Sequence, residues 1–164
     1  MIGDFTMAGW EIIHGGEWLI HRELEPGIIS AIEGRRFSHF TGAENLAADV
    51  WILDYHFNPG IRFHSRHFRW RNRLPETWHL YPPDEPFWQN TGGSPLPLHA
   101  LWIRFHGAEK LGLRQLIEPS LGLAVFEDPE HWLLDKVRSF TSLRDAKGEA
   151  SYAQVAIGLM EIIH

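Results

Sequence analysis

The feature that most restricts the fold is the way turn signals cut the chain, up to about residue 127, into short β-rich runs. Pro26-Gly27, Glu33-Gly34, Asn58-Pro59-Gly60, Pro82-Pro83-Asp84 and Thr91-Gly92-Gly93 act as punctuation, because proline presets a turn dihedral and glycine tolerates the backbone angles that turns require. Between them, residues 49–57 (DVWILDYHF), 61–63, 66–70, 77–81 (TWHLY), 99–105 and 121–126 (LGLAVF) read as strands. Strands this short and this evenly spaced predict a sandwich or a barrel. Only 108–117 (AEKLGLRQLI) interrupts them, read as a short helix with Leu111, Leu113, Leu116 and Ile117 on its apolar side.

The run LHALWIRFHG, residues 98–107, carries most of the functional information. Alternation along a strand sends Leu101, Ile103 and Phe105 one way with His99, and Ala100, Trp102, Arg104 and His106 the other. An apolar face backed by one that combines an aromatic ring with a cation suits a strand that packs on one side and presents a recognition surface on the other. Trp102 would stack a small polar ligand and Arg104 would supply paired hydrogen-bond donors. The competing role is a tryptophan that fills the interior and an arginine at its rim.

From Asp128 the pattern becomes helical. Asp128-Pro129-Glu130 has the order of an N-cap, a first-turn proline and an acidic first turn, which predicts a helix to about Phe140 and then a loop from Ser142 to Gly148. After it, Tyr152, Val155, Ala156, Leu159, Ile162 and Ile163 recur at helical spacing. A terminal helix with such a stripe packs back on the domain or pairs with a second subunit.

A chain of 164 residues that is 44% hydrophobic and 22% charged is sized for one globular domain. Its net charge of −6 disfavours nucleic-acid binding by this chain, since that affinity rests on Lys and Arg neutralising phosphates. No apolar run reaches the roughly 18 residues of a bilayer span, and MIGDFTMAGW lacks the order of a signal peptide. A cytoplasmic protein is therefore expected. With no cysteine, disulfides, thiolate ligands and a cysteine nucleophile are excluded.

Eleven histidines raise the question of a metal. His64, His67, His79, His99 and His106 are candidates, but His64-Ser65-Arg66-His67 puts its pair on opposite faces of a regular strand, and no carboxylate lies between residues 61 and 75. No metal site and no cofactor are expected. Asp54 interrupts an apolar-aromatic strand, either as an acceptor for ligand hydroxyls or as one half of an ion pair with Arg62, Arg66 or His56. The basic run RFHSRHFRWRNR, residues 62–73, reads as an exposed hairpin with Arg69 and Arg71 outward and Phe68 and Trp70 packed. No Gly-x-Ser-x-Gly elbow or comparable nucleophile context occurs.

Taken in order, WILDYHF, LPETWHLYPPDEPFWQ and LWIRFHG followed by two closing helices resemble the N-terminal sensor domain of AraC-type transcriptional regulators. The resemblance covers roughly residues 45 to 164, and its most specific pieces are Leu80-Tyr81-Pro82-Pro83-Asp84-Glu85-Pro86 and Trp102-Ile103-Arg104-Phe105-His106-Gly107. It implies a mainly β fold, a cupin-like (jelly-roll) β-barrel followed by two C-terminal α-helices. Residues 1–127 would form the barrel with an N-terminal arm, and 128–164 a helical dimerisation segment. It further implies a small effector, often a sugar, in the lumen, with Trp102 as the residue on which the ligand stacks. DNA would be bound only through a helix-turn-helix domain absent from this chain. Pro75-Glu76-Thr77 departs from the family's common Pro-Gly-Asp, and Gln89 stands where a sugar-binding member has tyrosine.

Together these readings predict a ligand-sensing and dimerising domain, not an enzyme. Trp102, Arg104, Asp54 and Gln89 are expected to bind a small effector, carbohydrate in kind, and Tyr152, Val155, Leu159 and Ile162 to form a homodimer. The alternatives are a small metal-dependent cupin enzyme, isomerase or dioxygenase, and a dimerisation module with a filled barrel.

Overall fold

The computed structural model describes residues 9–17, 27–44, 50–145 and 161. Within them the chain is mainly β: β1 (Trp10–Glu17), β2 (Gly27–Arg36), β3 (Thr41–Glu44), β4 (Trp51–His56), β5 (Arg62–Ser65), β6 (Phe68–Asn72), β7 (Thr77–Tyr81), β8 (Phe87–Asn90), β9 (Leu98–His106), β10 (Ala124–Glu127) and one helix, α1 (Trp132–Asp145). The strands form two antiparallel sheets, one of six strands ordered β1-β2-β9-β4-β7-β10 and one of four ordered β3-β8-β5-β6. Among the described residues the two sheets remain separate and do not close into a hydrogen-bonded ring.

The large sheet has two unlike faces. Trp51, Leu53 and Tyr55 of β4, Trp78 and Leu80 of β7, and Leu101, Ile103 and Phe105 of β9 form one apolar cluster with Leu134 and Val137 of α1. Each such side chain, buried from water, contributes on the order of 1.5–3 kcal/mol, so this helix-covered face is the principal core. The opposite face looks toward the small sheet. There Ile52 and Tyr81 meet Phe63 and Phe87, with the rings of Tyr81 and Phe87 stacked at 3.5 Å. The segregation expected for β9 is observed: Leu101, Ile103 and Phe105 belong to the helix-covered core, while Ala100 and Trp102 belong to an inner cluster with Ile32.

Several boundaries depart from the sequence reading. β1, β2, β3 and β8 are strands that the β-rich runs did not single out. Glu33-Gly34 is not a turn but the middle of β2, and Gly34 is there for space: a β-carbon would stand 3.2 Å from the Glu11 carbonyl oxygen and 3.4 and 3.5 Å from the rings of Trp10 and Trp102. Residues 108–117 form not one helix but two 3-10 turns, 109–111 and 113–116, broken at Gly112 with φ +74°. The helix predicted from Asp128 starts only at Trp132, because Asp128 to His131 make a tight turn that ends with His131 at φ +56°. Asp128 nevertheless caps it, its carboxylate accepting from the Leu133 and Leu134 amides at 3.2 and 2.8 Å. The helix continues through Ser142 to Asp145, where a loop was predicted. Glu33 ties it to the sheet, accepting from Arg138 at 2.9 and 3.1 Å and lying 2.7 Å from His99 Nε2. Burial alone would raise the Glu33 pKa, but its His99 and Arg138 hydrogen bonds outweigh that and lower it to about 2. The second predicted helix, with Tyr152, Val155, Leu159 and Ile162, lies outside the described residues.

Candidate ligand-binding cleft

The registers of β2, β9, β4 and β7 assemble the inner face of the large sheet row by row. Ile32, Trp102, Asp54 and His79 stand abreast in one row, and Ser30, Arg104, Ile52 and Tyr81 in the next. Directly paired side chains on one face lie about 4.5–5.5 Å apart at Cβ, so each row is a contiguous band. A cleft opens over these rows, lined by Trp10, Phe40, Ile52, Asp54, His56, Gln89, Ala100, Trp102 and Arg104. All four ligand candidates named from the sequence therefore face one space, drawn from β4, β8 and β9 of both sheets. The recess is narrow and takes in about 400 Å³ including its open mouth. It is narrow because Trp10 meets the Trp102 ring edge-on at 5.2 Å and Phe40 stands 6.4 Å beyond Trp10.

Asp54 occupies the floor. Its carboxylate lies 2.6 Å from Arg73 Nη1, a close ion pair without a well-aligned hydrogen bond, accepts from Gln89 Nε2 at 3.2 Å and sits 3.4 Å from His56 Nε2. Its partner is thus Arg73 with His56, not Arg62 or Arg66. Arg73 is itself buried and also donates to the carbonyls of Asp54 and Thr77 at 3.0 and 3.1 Å. Burial alone would raise the Asp54 pKa, but Arg73 and the His56 hydrogen bond prevail and hold the carboxyl far below the ordinary range. For His56 and His79 burial is the largest influence, reinforced by the Arg73 charge, and both are pushed toward the neutral form. His79 also lies 3.0 Å from the Tyr81 hydroxyl.

Arg104 differs from Arg73. Its Nε is buried without a hydrogen-bond partner, and among the described residues no carboxylate pairs with its guanidinium. Opposite it in register, the hydroxyl of Ser30 is likewise buried and unpartnered.

The other candidate histidines with assigned contacts are scattered among the described residues. His99 serves Glu33 on the helix-covered side, His64 stacks on Trp88 at 4.4 Å, and His67 lies 3.4 Å from Glu85. Among the described residues no three His, Asp or Glu side chains gather as a metal would require. The sequence reading missed Trp10 and Phe40 as walls and Arg73 as counter-charge. Trp10 carried a weak signal, as an aromatic at the head of WEIIHGGE, but nothing local connected it to Trp102, 92 positions away.

No family model and no curated protein matches the chain. Among solved structures it is similar to that of the protein YhaK from Escherichia coli, with a TM-score of 0.48 and 8% identity over 75% of this chain and 52% of that one. The chain spans about half the length of that protein.

Proposed function

We propose that this chain is a ligand-sensing domain that holds a small molecule between its two sheets and does no chemistry on it. The reading rests above all on the convergence of Trp102, Arg104, Asp54 and Gln89 on one ring-walled cleft. Rings with a few convergent polar groups are the usual make-up of a small-molecule site. The Asp54 carboxylate is committed to Arg73, which supports a binding role over a catalytic one. A ring-sized ligand takes the place that Trp10 holds at the edge of Trp102, so binding displaces β1 at the rim of the sheet. Through the resemblance to AraC-type regulators, the two sheets are read as the halves of a cupin-type jelly roll. The C-terminal helix then pairs two copies, and DNA is contacted through a separate helix-turn-helix domain. Ligand occupancy would shift the balance between arrangements of the N-terminal segment and of the dimer.

Native mass spectrometry with a panel of sugars and sugar acids, followed by titration of any ligand found, tests this. Trp102→Leu keeps an apolar side chain but removes the stacking face, so affinity should fall about 5- to 30-fold. A variant that melts earlier yet binds the same ligand unchanged would show that Trp102 merely fills space.

A further inference from the structure

We propose that the ligand of this cleft carries a carboxylate, received by Arg104, on a ring that lies against Trp102. The inference rests on the ligand-sensing reading above and adds the chemical class. It starts from the charges along the cleft. Asp54 is neutralised by Arg73 at 2.6 Å, and His56 is held neutral, so among the described lining residues Arg104 is left as an uncompensated positive charge. A guanidinium with a buried, unpartnered Nε is costly to keep, and the buried Ser30 hydroxyl beside it adds a second orphan. A neutral sugar offers hydroxyl oxygens to these donors and leaves the charge uncompensated. A carboxylate answers both, because the planar guanidinium fork matches its two oxygens and a low-dielectric recess strengthens the pairing.

The geometry limits the rest of the molecule. Trp102 and Arg104 are two apart on one strand face, which puts their attachment points roughly 6.5–7 Å apart, close enough for one ligand to touch the indole and the guanidinium together. The narrow recess beside the paired rings of Trp10 and Trp102 suits a single ring better than a bulky one. The class is a single-ring carboxylic acid, whether a sugar acid or an aromatic acid, and the Asp54–Gln89 end of the cleft suits hydroxyl groups.

The test is isothermal titration of the full chain near neutral pH with two matched pairs: galacturonate against galactose, and benzoate against benzyl alcohol. At least one acid should bind about tenfold or more tightly than its neutral partner. Binding by the galacturonate pair identifies a sugar acid, and binding by the benzoate pair an aromatic acid. Arg104→Gln should erase that preference, the acid losing about tenfold more affinity than its neutral partner, and Arg104→Lys should retain part of it. Because Arg104→Gln removes an unpaired charge whose Nε is buried, it should melt no earlier than wild type, whereas an arginine needed for packing would cost stability. Equal binding of acid and neutral partner, or a preference that survives Arg104→Gln, overturns the carboxylate assignment and leaves the cleft reading standing. No binding by any of the four up to about 10 mM overturns both.

Discussion

Replacing Arg73 with methionine tests the electrostatic design of the cleft most directly. The Arg73 side chain is 1% exposed and supports the Asp54 carboxylate at 2.6 Å together with two backbone carbonyls. Breaking such a pair from one side leaves a buried carboxylate without its cation, which costs about 3–5 kcal/mol, toward the upper end here because the carbonyls also lose their donor. For a domain of this size that corresponds to a fall in Tm of about 10 °C or more. The pH dependence carries the diagnosis. In wild type the folded Asp54 pKa is depressed, so its contribution is present above the unfolded value of about 4 and is lost as pH falls below it. In Arg73→Met burial is opposed only by His56 and His79 and the Asp54 pKa rises; the penalty is then full at high pH and fades as the carboxyl takes up a proton. Arg73 also presses His56 and His79 toward neutrality, so its loss eases their protonation and acts in the same direction. Urea unfolding followed by tryptophan fluorescence should therefore give a smaller difference between variant and wild type at pH 5 than at pH 7.5. The double variant Asp54→Asn/Arg73→Met should be more stable than Arg73→Met alone at pH 7.5. An equal difference at both pH values, with a double variant at least as unstable as the single one, would refute the assignment.

Three further outcomes are expected. His56 and His79 are buried and held neutral, so below about pH 6.5 the unfolded chain binds protons that the folded chain does not. Stability should fall by up to about 1.4 kcal/mol per pH unit for each, and His79→Gln should make the decline near pH 5.5 less steep. Glu76 holds φ +58° with its amide donating to the His56 carbonyl at 2.9 Å, so Glu76→Gly should stabilise by about 0.5–1 kcal/mol in urea titrations, and a loss would count against a strained turn. Leu159→Arg on the C-terminal stripe should convert a homodimer to monomers by light scattering while preserving the β signal in circular dichroism; an unchanged mass would remove that helix from the interface.

What the sequence disclosed followed from how local each determinant is. β4, β7 and β9 are interior strands of the large sheet, so their apolar residues come in unbroken or alternating runs visible without a partner. Asp54 and Arg104 stood out as polar interruptions of such runs, and that is why the cleft candidates were legible. β1 and β2 were obscured by GG and EGRR, because Gly34 answers to the Glu11 carbonyl across the sheet and not to its own neighbours in the chain. Arg73 escaped notice for a similar reason: it follows edge strand β6, and only the packing of the sheets brings it to Asp54. The helix start was displaced by the turn through His131 although its cap, Asp128, was identified.

The division of labour between the two faces of the large sheet explains how a domain this small tolerates so polar an interior. On the helix-covered face, Trp51, Tyr55, Trp78, Leu101, Ile103 and Phe105 are each at most 2% exposed, and the Glu33–Arg138 contact fixes α1 over them. That face supplies most of the hydrophobic stabilisation and makes few polar demands. The inner face then carries Ser30, Asp54, His56, His79 and Arg104, with Gln89 of the small sheet facing Asp54, several of them almost wholly buried. In an ordinary sandwich the inter-sheet space is the core, and polar groups there would be replaced by better-packed apolar ones at little loss or some gain in stability. Retaining them is reasonable only where a specific arrangement of charge is needed. The arrangement here, one carboxylate paired with Arg73 and one guanidinium lining the cleft beside an indole, is what supports the proposal of an anionic ring as ligand.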